Sequence, residues 1–461
     1  MAEKIISPGV FTNEIDQTFL PSAVADIGAA LVGPTLKGPA GIPTIVTSFS
    51  DFQAKFGDVF KNGKNGSSVQ FLTSHAAEEY LKNSDTLTVV RIMADGGGAV
   101  APATADVPTG SAVDPSGGAS AFTLETLADG TIMNNADSTV TTNSILVSGS
   151  KHNIRYEVTS VNESKGTFNL AIRAGNDNIK RKQTLETFNN CSLDPNSTNF
   201  VSKVIGDQNQ TVQTDGTTKY LKLEGDYPNK SRFVRVKTVN SLTTNYLDEN
   251  GNIRINAASG SLPAVGSGSS NGGFGGATDG HSGFDAIGHQ NGDSGLTPLF
   301  YENIIQANSQ GFDPTTAADG LDAYTEALDL LANQDEFDVN LILMPGIIDS
   351  VHTAVAAKAI DVCEDRGDCF TILDPVPYAS TLGAATTRGE ARDSNFAAMY
   401  WPWVKIPDNQ LGVQRWVPPS TVLGGIYAFN DRVAHPWFAP AGLNRGGITT
   451  AIQAERKLTQ G

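Results

Sequence analysis

The chain has 461 residues, a length that suggests about three domains. Hydrophobic residues make up 39% of it, which is typical of a folded protein. Its 49 Asp and Glu residues outnumber 32 Lys and Arg residues, and a net charge of −17 repels phosphate backbones and anionic lipid. No nucleic-acid partner and no membrane insertion are therefore expected. Three cysteines are too few for a disulfide framework, and Cys363 and Cys369 are expected to be core or near-core thiols in a reducing compartment.

The first 95 residues divide into two parts. Residues 1–20 are predicted to be an extended N-terminal arm, because Pro8-Gly9 blocks a helix and the following residues alternate weakly, as in an edge strand. Residues 21–95 have an α/β pattern, in which Ser48 begins a helix and Gly57 ends it. The predicted strands are 27–32, 44–47 and 86–93. Phe49, Phe52 and Phe56 have helical spacing and predict one helix, and the stretch 69–82 predicts a second.

The composition changes at residue 94. Residues 94–120 are rich in Gly, Ala, Pro and Asp and predict a linker into an inserted module. Short alternating runs between turn residues predict a β-rich module from 122 to about 236, with runs at 144–148, 153–159, 167–173 and 220–223. Residues 257–298 form a low-complexity Gly/Ser/Ala/Asp tract that predicts a surface loop.

The α/β pattern returns at about residue 298. A strand over 337–344, closed by Pro345-Gly346, a helical face over 351–362 and a strand over 369–373 predict a βαβ unit. Further helices are predicted over 320–331 and 420–432, and further strands over 397–403 and 413–417.

The predicted fold class is α/β plus β, with one discontinuous α/β domain that carries β-rich inserted domains. The predicted domains are the arm (1–20), the first part of the α/β domain (21–95), an outer β-rich insertion (96–155), a second β-rich insertion with the Gly/Ser-rich loop (156–298) and the second part of the α/β domain (299–461).

No catalytic, cofactor-binding or metal site is predicted, and the chain is not expected to be an enzyme. Residues 57–65 have one residue too many for a phosphate loop and end in Asn where Ser or Thr is required. Residues 268–272 match the G-x-S-x-G pattern of hydrolases, but no predicted strand or helix flanks them. The tripeptide Arg366-Gly367-Asp368 is interpreted as a tight loop with Gly at a helix end.

Two charged clusters leave alternatives open. Asp361, Glu364, Asp365 and Asp368 could be a metal site or half of a charged interface, although a solvated face is the default for such a cluster. The basic run 180–182 could meet an acidic patch on a neighbouring copy, or be solvated in the same way.

Three stretches resemble one protein family. The opening Ser7-Pro8-Gly9-Val10, followed by Glu14-Ile15-Asp16, resembles the start of phage tail sheath proteins, and residues 173–207 resemble the middle of those of T-even-like phages and their marine relatives. The strongest resemblance covers 417–448. Its characteristic pattern includes Gly425, Asp431, Trp437, Pro440, Gly442 and Arg445. On these motifs the chain resembles the contractile bacteriophage tail sheath family, of the T-even-like myophage type and without the family's C-terminal domain.

The resemblance implies a structural subunit whose copies stack as hexameric rings around a tail tube and contract to deliver the genome. It implies other copies, the tail tube protein, and baseplate and tail terminator proteins as partners, no cofactor, and a place in the virion after assembly in the host cytoplasm. In the family, terminal arms add strands to neighbouring subunits. The arm residues expected to make such contacts here are Ser7, Pro8, Gly9, Val10, Phe11, Ile15 and Asp16.

Family members continue past the motif segment into a C-terminal domain with a second arm, whereas this chain ends at Gly461. The chain is therefore expected to be a truncated or proteolytic fragment that stays monomeric or makes weak contacts. Three alternatives remain: the sheath of a tailocin or type VI-like injection device, an enzyme that uses the carboxylates of 361–368, and a host-binding adhesin built on the β-rich insertion.

Overall fold

The computed structural model describes residues 28–59, 70–93, 100–110, 120–135, 139–216, 218–254, 260–279, 304–435 and 437–457. The strands are β1 (Gly28–Gly33), β2 (Thr44–Val46), β3 (Leu87–Arg91), β4 (Val100–Pro108), β5 (Ser120–Asp129), β6 (Ile154–Asn162), β7 (Thr167–Ala174), β8 (Thr184–Ser192), β9 (Asn209–Asp215), β10 (Thr218–Glu224), β11 (Val234–Val239), β12 (Thr278–Asp279), β13 (Val339–Ile348), β14 (Phe370–Asp374), β15 (Ala397–Met399), β16 (Val404–Asp408), β17 (Val413–Val417) and β18 (Gln453–Ala454). The α-helices are α1 (Phe49–Phe56), α2 (Leu72–Leu81), α3 (Thr131–Asn134), α4 (Val201–Ile205), α5 (Leu321–Leu331), α6 (Thr353–Arg366), α7 (Leu382–Glu390) and α8 (Ser420–Val433). The predicted arm, 1–20, lies outside the described residues.

A six-stranded sheet with the order β15-β14-β13-β1-β3-β2 combines strands from both ends of the chain. β1 pairs in parallel with β13 and β3, whereas β2 joins the edge in the antiparallel direction. Helices α5 and α6 cover one face and α1, α2 and α8 cover the other. Side chains alternate along a strand, so those of β1 enter both cores. Ala30 and Val32 pack on the face covered by α5 and α6, and Ala29 and Leu31 pack on the face covered by α1, α2 and α8. Residues 28–93 and 304–457 are called the α/β body below.

Residues 100–279, called the inserted unit below, form the sheets β11-β5-β4-β12 and β6-β7-β8 and a separate pair of strands, β9 and β10. The two larger sheets share one apolar core, in which the rings of Phe122 and Phe168 stack with centroids 5.5 Å apart. Val201 and Ile205 of α4 belong to the same core. The inserted unit therefore has a hydrophobic core of its own.

A small antiparallel sheet with the order β17-β16-β18 packs against α2 and α8. Its apolar cluster contains Val404, Val417, Leu72 of α2 and Val422 of α8. Trp403 is 1% exposed in this cluster, and its indole N–H donates to the carbonyl of Val376 at 3.1 Å. The small sheet is thus held by a fourth apolar core, to which Ile348 at the end of β13 also belongs.

The mixed α/β plus β class is confirmed, as are several local predictions. Helix α1 begins after Ser48, whose hydroxyl accepts the backbone N–H of Asp51 at 3.2 Å, and ends at Gly57 with φ 74°. Cys363 and Cys369 are buried, as expected, and Cys191 is buried too.

Two predictions based on composition are wrong. The predicted linker 94–120 contains β4, because the small residues Ala103, Ala105 and Val107 alternate into the core of the inserted unit. The predicted surface loop 257–298 contains a packed stretch, in which Phe274 is fully buried edge-on against Tyr156. Gly272 in this stretch permits close approach to β6, because a Cβ atom there would lie 2.2 Å from the backbone oxygen of Tyr156.

Three predicted strand boundaries are also wrong. β13 does not close at Pro345-Gly346 but continues to Ile348, with a break in register before it pairs again with β14. The predicted run 144–148 is not a strand, and its first residue, Ser144, ends a short 3-10 turn that begins at Thr142. The predicted strand 397–403 ends at Met399, after which the chain turns toward the small sheet.

Candidate subunit-interaction site

Helix α8 carries the first part of the motif segment 417–448 and begins without a side-chain cap of its own. The carboxylate of Asp374, at the end of β14, supplies the cap. It accepts hydrogen bonds from the backbone N–H of Ser420 at 3.0 Å and from the Ser420 hydroxyl at 2.5 Å. Asp374 is fully buried, and burial raises its pKa to about 7 although the bonds from Ser420 act in the opposite direction. The sheet therefore fixes where α8 starts.

Two glycines of α8 allow it to pack closely against its neighbours. A Cβ atom at Gly425 would lie 2.6 Å from the backbone oxygen of Glu79 in α2. A Cβ atom at Gly424 would lie 2.5 Å from the side chain of Leu343 in β13. The amide of Asn83 also donates to the carbonyl of Gly425 at 3.1 Å. Gly425 therefore has a packing role here, at the contact of two helices.

The described residues after α8, 434, 435 and 437–446, are called the aromatic segment below. The ring of Trp437 stacks on His435 with centroids 5.2 Å apart and on Phe438 with centroids 4.4 Å apart. The guanidinium of Arg445 lies 4.7 Å from the centroid of Phe438, a cation–π distance. Asn430 of α8 donates to the carbonyl of Phe438 at 2.8 Å and so ties the segment to the helix.

The aromatic segment is the most exposed apolar part of the motif. Trp437 is 76% exposed and Leu443 is 100% exposed. Single exposed apolar side chains are common, but a stacked group of rings next to a fully exposed Leu is a candidate contact surface.

The structure brings part of the predicted motif together. Trp437 and Arg445 both contact Phe438. Pro440 and Gly442 lie in the turn between them, and Gly442 has φ 79°, a left-handed conformation that favours glycine. This turn explains why Pro and Gly occur there, whereas a role in subunit contacts stays a prediction.

Two motif residues lie apart from the aromatic rings. Gly425 is buried in the middle of α8, and Asp431 is exposed on its last turn. The predicted arm residues Ser7, Pro8, Gly9, Val10, Phe11, Ile15 and Asp16 lie outside the described residues, so their contacts stay a prediction as well.

Comparison with known proteins identifies two curated relatives. The tail sheath protein of Enterobacteria phage T4 is 30% identical over 149 residues, which are 28% of this chain and 22% of that protein. The tail sheath protein of Vibrio phage KVP40 is 28% identical over 154 residues, which are 28% of this chain and 23% of that protein. Over these stretches, this chain is similar to phage tail sheath proteins. The resemblance seen in the sequence is confirmed, although the chain spans less than a quarter of the length of either relative.

Two solved structures are similar to this chain at low sequence identity. The sheath tail protein of Desulfitobacterium hafniense is 13% identical with a TM-score of 0.41, over 98% of this chain and 68% of that chain. The sheath tail protein of Listeria innocua is 12% identical with a TM-score of 0.46, over 95% of this chain and 62% of that chain. No family model matches this chain.

Sequence reasoning missed a buried ion cluster in this chain. Asp349 follows β13, is fully buried and accepts hydrogen bonds from Arg388 and, at 2.6 Å, from Arg392. Helix α7, which carries Arg388, buries only Ala385 among its own residues. Two arginines four residues apart do predict one helix face, but nothing in the sequence links them to Asp349.

The other candidates have ordinary structural roles where they are described. Gly367 has φ 73° and ends α6, while the buried guanidinium of Arg366 donates to the carbonyl of Phe337 at 3.0 Å. The interpretation of this tripeptide as a tight loop is therefore confirmed. In the basic run, Lys182 pairs with Glu157 at 2.7 Å.

The acidic cluster lies on α6 and the loop after it. Asp361, Glu364, Asp365 and Asp368 are exposed, and Asp368 pairs with Arg366 at 2.8 Å. In the part of the chain that the structure describes, no group of three His, Cys, Asp or Glu side chains could hold a metal ion. Within the same residues, no helix is both long and apolar enough to cross a membrane.

Proposed function

We propose that this chain is a structural subunit of a contractile phage tail sheath, in which copies polymerise around a tail tube and contract to drive genome delivery. The observation that carries the proposal is the sequence relationship to the tail sheath proteins of phages T4 and KVP40. The proposed partners are other copies of the chain, the tail tube protein, and baseplate and tail terminator proteins. The proposed location is the virion, after assembly in the host cytoplasm, and no enzymatic activity is proposed.

The architecture supports a role in assembly. The six-stranded sheet ends in two short edge strands, β2 and β15, and Ile45 of β2 is 51% exposed. An edge strand offers backbone N–H and C=O groups to a strand of another chain. The aromatic segment adds an exposed apolar surface on the same α/β body. Both features suit a subunit that contacts several copies of itself.

We propose one discontinuous α/β domain, the α/β body, interrupted by the inserted unit. The predicted division of the insertion at residues 155 and 156 is not kept, because β6 runs across it and residues on both sides share one core. In a sheath, the α/β body would make the contacts between subunits and the inserted unit would face outward.

Immunogold electron microscopy tests the proposed function. Antibodies against the purified chain are applied to particles produced by the genome that encodes it. Gold is expected along the full length of extended tails and along the shorter, wider sheath of contracted tails. Gold on fibres or at the tail tip would refute the proposal in favour of an adhesin. Gold along tails of particles that lack a DNA-filled head would assign the sheath to a tailocin.

A further inference from the structure

A two-stranded ribbon, formed by β9 and β10, projects from the inserted unit. The strands pair along their full length and meet at a turn that includes Gly216. The base of the ribbon is fixed, because the carboxylate of Asp207 accepts the N–H of Tyr227 at 2.8 Å. At Gly225, with φ 103°, a Cβ atom would lie 2.6 Å from the carbonyl oxygen of Asp207. The ribbon therefore leaves a rigid base and extends for about 23 Å.

The ribbon has no apolar core of its own. None of its described residues belongs to the four apolar clusters of the molecule. Tyr220 and Leu223 are 40% and 52% exposed. In the described part of the chain, β9 and β10 pair only with each other. An isolated two-stranded ribbon is marginally stable in water, so a contact outside the ribbon must hold it in place.

That contact is with the α/β body. β10 lies against helix α5, and the ammonium of Lys219 lies 3.0 Å from the carboxylate of Glu326. Among the ion pairs of the described residues, this pair alone joins the inserted unit to the body. The tip of the ribbon is therefore attached to the body by charge.

A second link between the two units is a buried joint. Arg91, at the end of β3, is 2% exposed and donates to the carbonyls of Gly38 at 2.6 Å and of Asp129 at 2.9 Å. The carboxylate of Asp129 in turn accepts the N–H of Ala40 at 2.8 Å. These bonds connect the body directly to β5 of the inserted unit, and their burial makes the joint firm.

An open cleft of about 1020 Å³ lies between the joint and the ribbon. Its lining includes Ile42 of the body, Leu127 of the inserted unit, Val212 of the ribbon and Glu326 of α5. Because the cleft is not filled by packed side chains, the two units can change their separation there without disrupting a core. The joint is the natural pivot for such a movement.

We propose that the ribbon is an electrostatic clasp that sets the angle between the inserted unit and the α/β body, with the Arg91–Asp129 joint as the hinge. The Lys219 and Glu326 side chains are 27% and 38% exposed, so salt or a competing charge can undo the pair. Release lets the units turn about the joint and changes the width of the cleft. The clasp acts within one chain and is independent of the proposed sheath function.

Distance measurement by pulsed electron spin resonance tests the clasp in the full chain. Spin labels are attached to Asn189→Cys in the inserted unit and Asp365→Cys in the body, both exposed positions, while the three native cysteines are buried. Lys219→Glu places two carboxylates face to face. It is expected to broaden a narrow distance distribution and to speed hydrogen exchange in the ribbon three- to tenfold. Adding Glu326→Lys restores the pair with reversed polarity and is expected to restore both readouts.

Lys358→Glu is the matched control. It breaks the pair between Lys358 and Asp329, at 2.6 Å, which joins the same helix α5 to α6 inside the body. This variant is expected to leave the distance distribution and the ribbon exchange unchanged. The clasp is refuted if Lys219→Glu leaves both readouts at their original values, if the charge-swapped variant does not recover them, or if the control changes them equally.

Discussion

The buried carboxylate of Asp374 accepts both the backbone N–H of Ser420 at 3.0 Å and its hydroxyl at 2.5 Å, across 46 residues of chain. Asp374→Ala leaves both donors without this acceptor and removes the cap of α8. We expect the free energy of unfolding to fall by about 2–4 kcal/mol. Asp374→Asn keeps one acceptor oxygen and is expected to lose less. Urea unfolding followed by circular dichroism measures both variants, and an Ala variant as stable as the parent would contradict the capping role.

The same carboxylate predicts a pH dependence. The pKa of Asp374 is raised from 3.8 to about 7 by burial, so between these pH values the folded state binds more protons than the unfolded state. Its contribution to the free energy of unfolding therefore falls as pH rises from about 4 to about 7 and is constant above that. From the size of the shift, the fall is at most about 4 kcal/mol.

A comparison with Asp374→Asn isolates this effect from other groups. His75 acts in the opposite direction, because burial lowers its pKa to about 4 and its contribution rises between about pH 4 and 6.5. This term is common to both proteins and cancels in the difference. We expect the stability of the parent relative to the Asn variant to decrease between pH 4 and 7. A constant difference over that range would show that the carboxylate does not titrate there.

The bond between Asp374 and Ser420 also shows where sequence reasoning ends. The helix over 420–432 and the strand over 369–373 were predictable, because each has a local hydrophobic period. Which strand end would cap which helix depends on the order of strands in the sheet, and that order has no local signal. The same holds for Asp349, which binds Arg388 and Arg392 from a different part of the chain.

Composition misled the prediction in the Gly/Ser tract for a different reason. A low-complexity stretch predicts a flexible loop, yet Phe274 within it is fully buried against Tyr156. Glycine permits both flexible chain and close backbone packing, and only the surroundings decide between them. The candidate site was partly predictable, since the motif located the aromatic segment. The stacking of Trp437 on Phe438, and the contact of Phe438 with Arg445, follow from the fold.

Gly425 is predicted to tolerate no side chain. In Gly425→Ala the new methyl group would lie 2.6 Å from the backbone oxygen of Glu79, so α8 would have to move away from α2. We expect a loss of about 1–3 kcal/mol in the free energy of unfolding. Gly383→Ala in α7 is the matched control, because no atom lies within 4 Å of its Cβ position. That variant is expected to gain about 0.4–1 kcal/mol by restricting the unfolded chain. Chemical unfolding measures both, and changes of the same sign would argue against close packing at Gly425.

Asp177 is predicted to be the most sensitive charge of the inserted unit. Its fully buried carboxylate accepts from Arg173 at 2.6 Å and from Arg155 at 3.3 Å. Asp177→Ala would leave two buried guanidinium groups without their shared counter-ion. Breaking a buried pair in this way costs about 3–5 kcal/mol. Unfolding in urea, followed by hydrogen exchange in β6 and β7, is expected to show the loss in the inserted unit.

The exposed pair of Lys222 and Glu224, 2.8 Å apart, provides the control for Asp177. Glu224→Ala removes a charge of the same sign from the same unit, but both side chains remain solvated, so no measurable change is expected. Arg155 also donates to the carbonyl of Asn271 at 2.6 Å. This bond connects the ion cluster around Asp177 to the glycine-rich stretch 260–279. If the ion cluster holds this stretch, Asp177→Ala will speed hydrogen exchange over 260–279 and Glu224→Ala will not. Equal exchange in the two variants would show that the ion cluster does not hold the stretch.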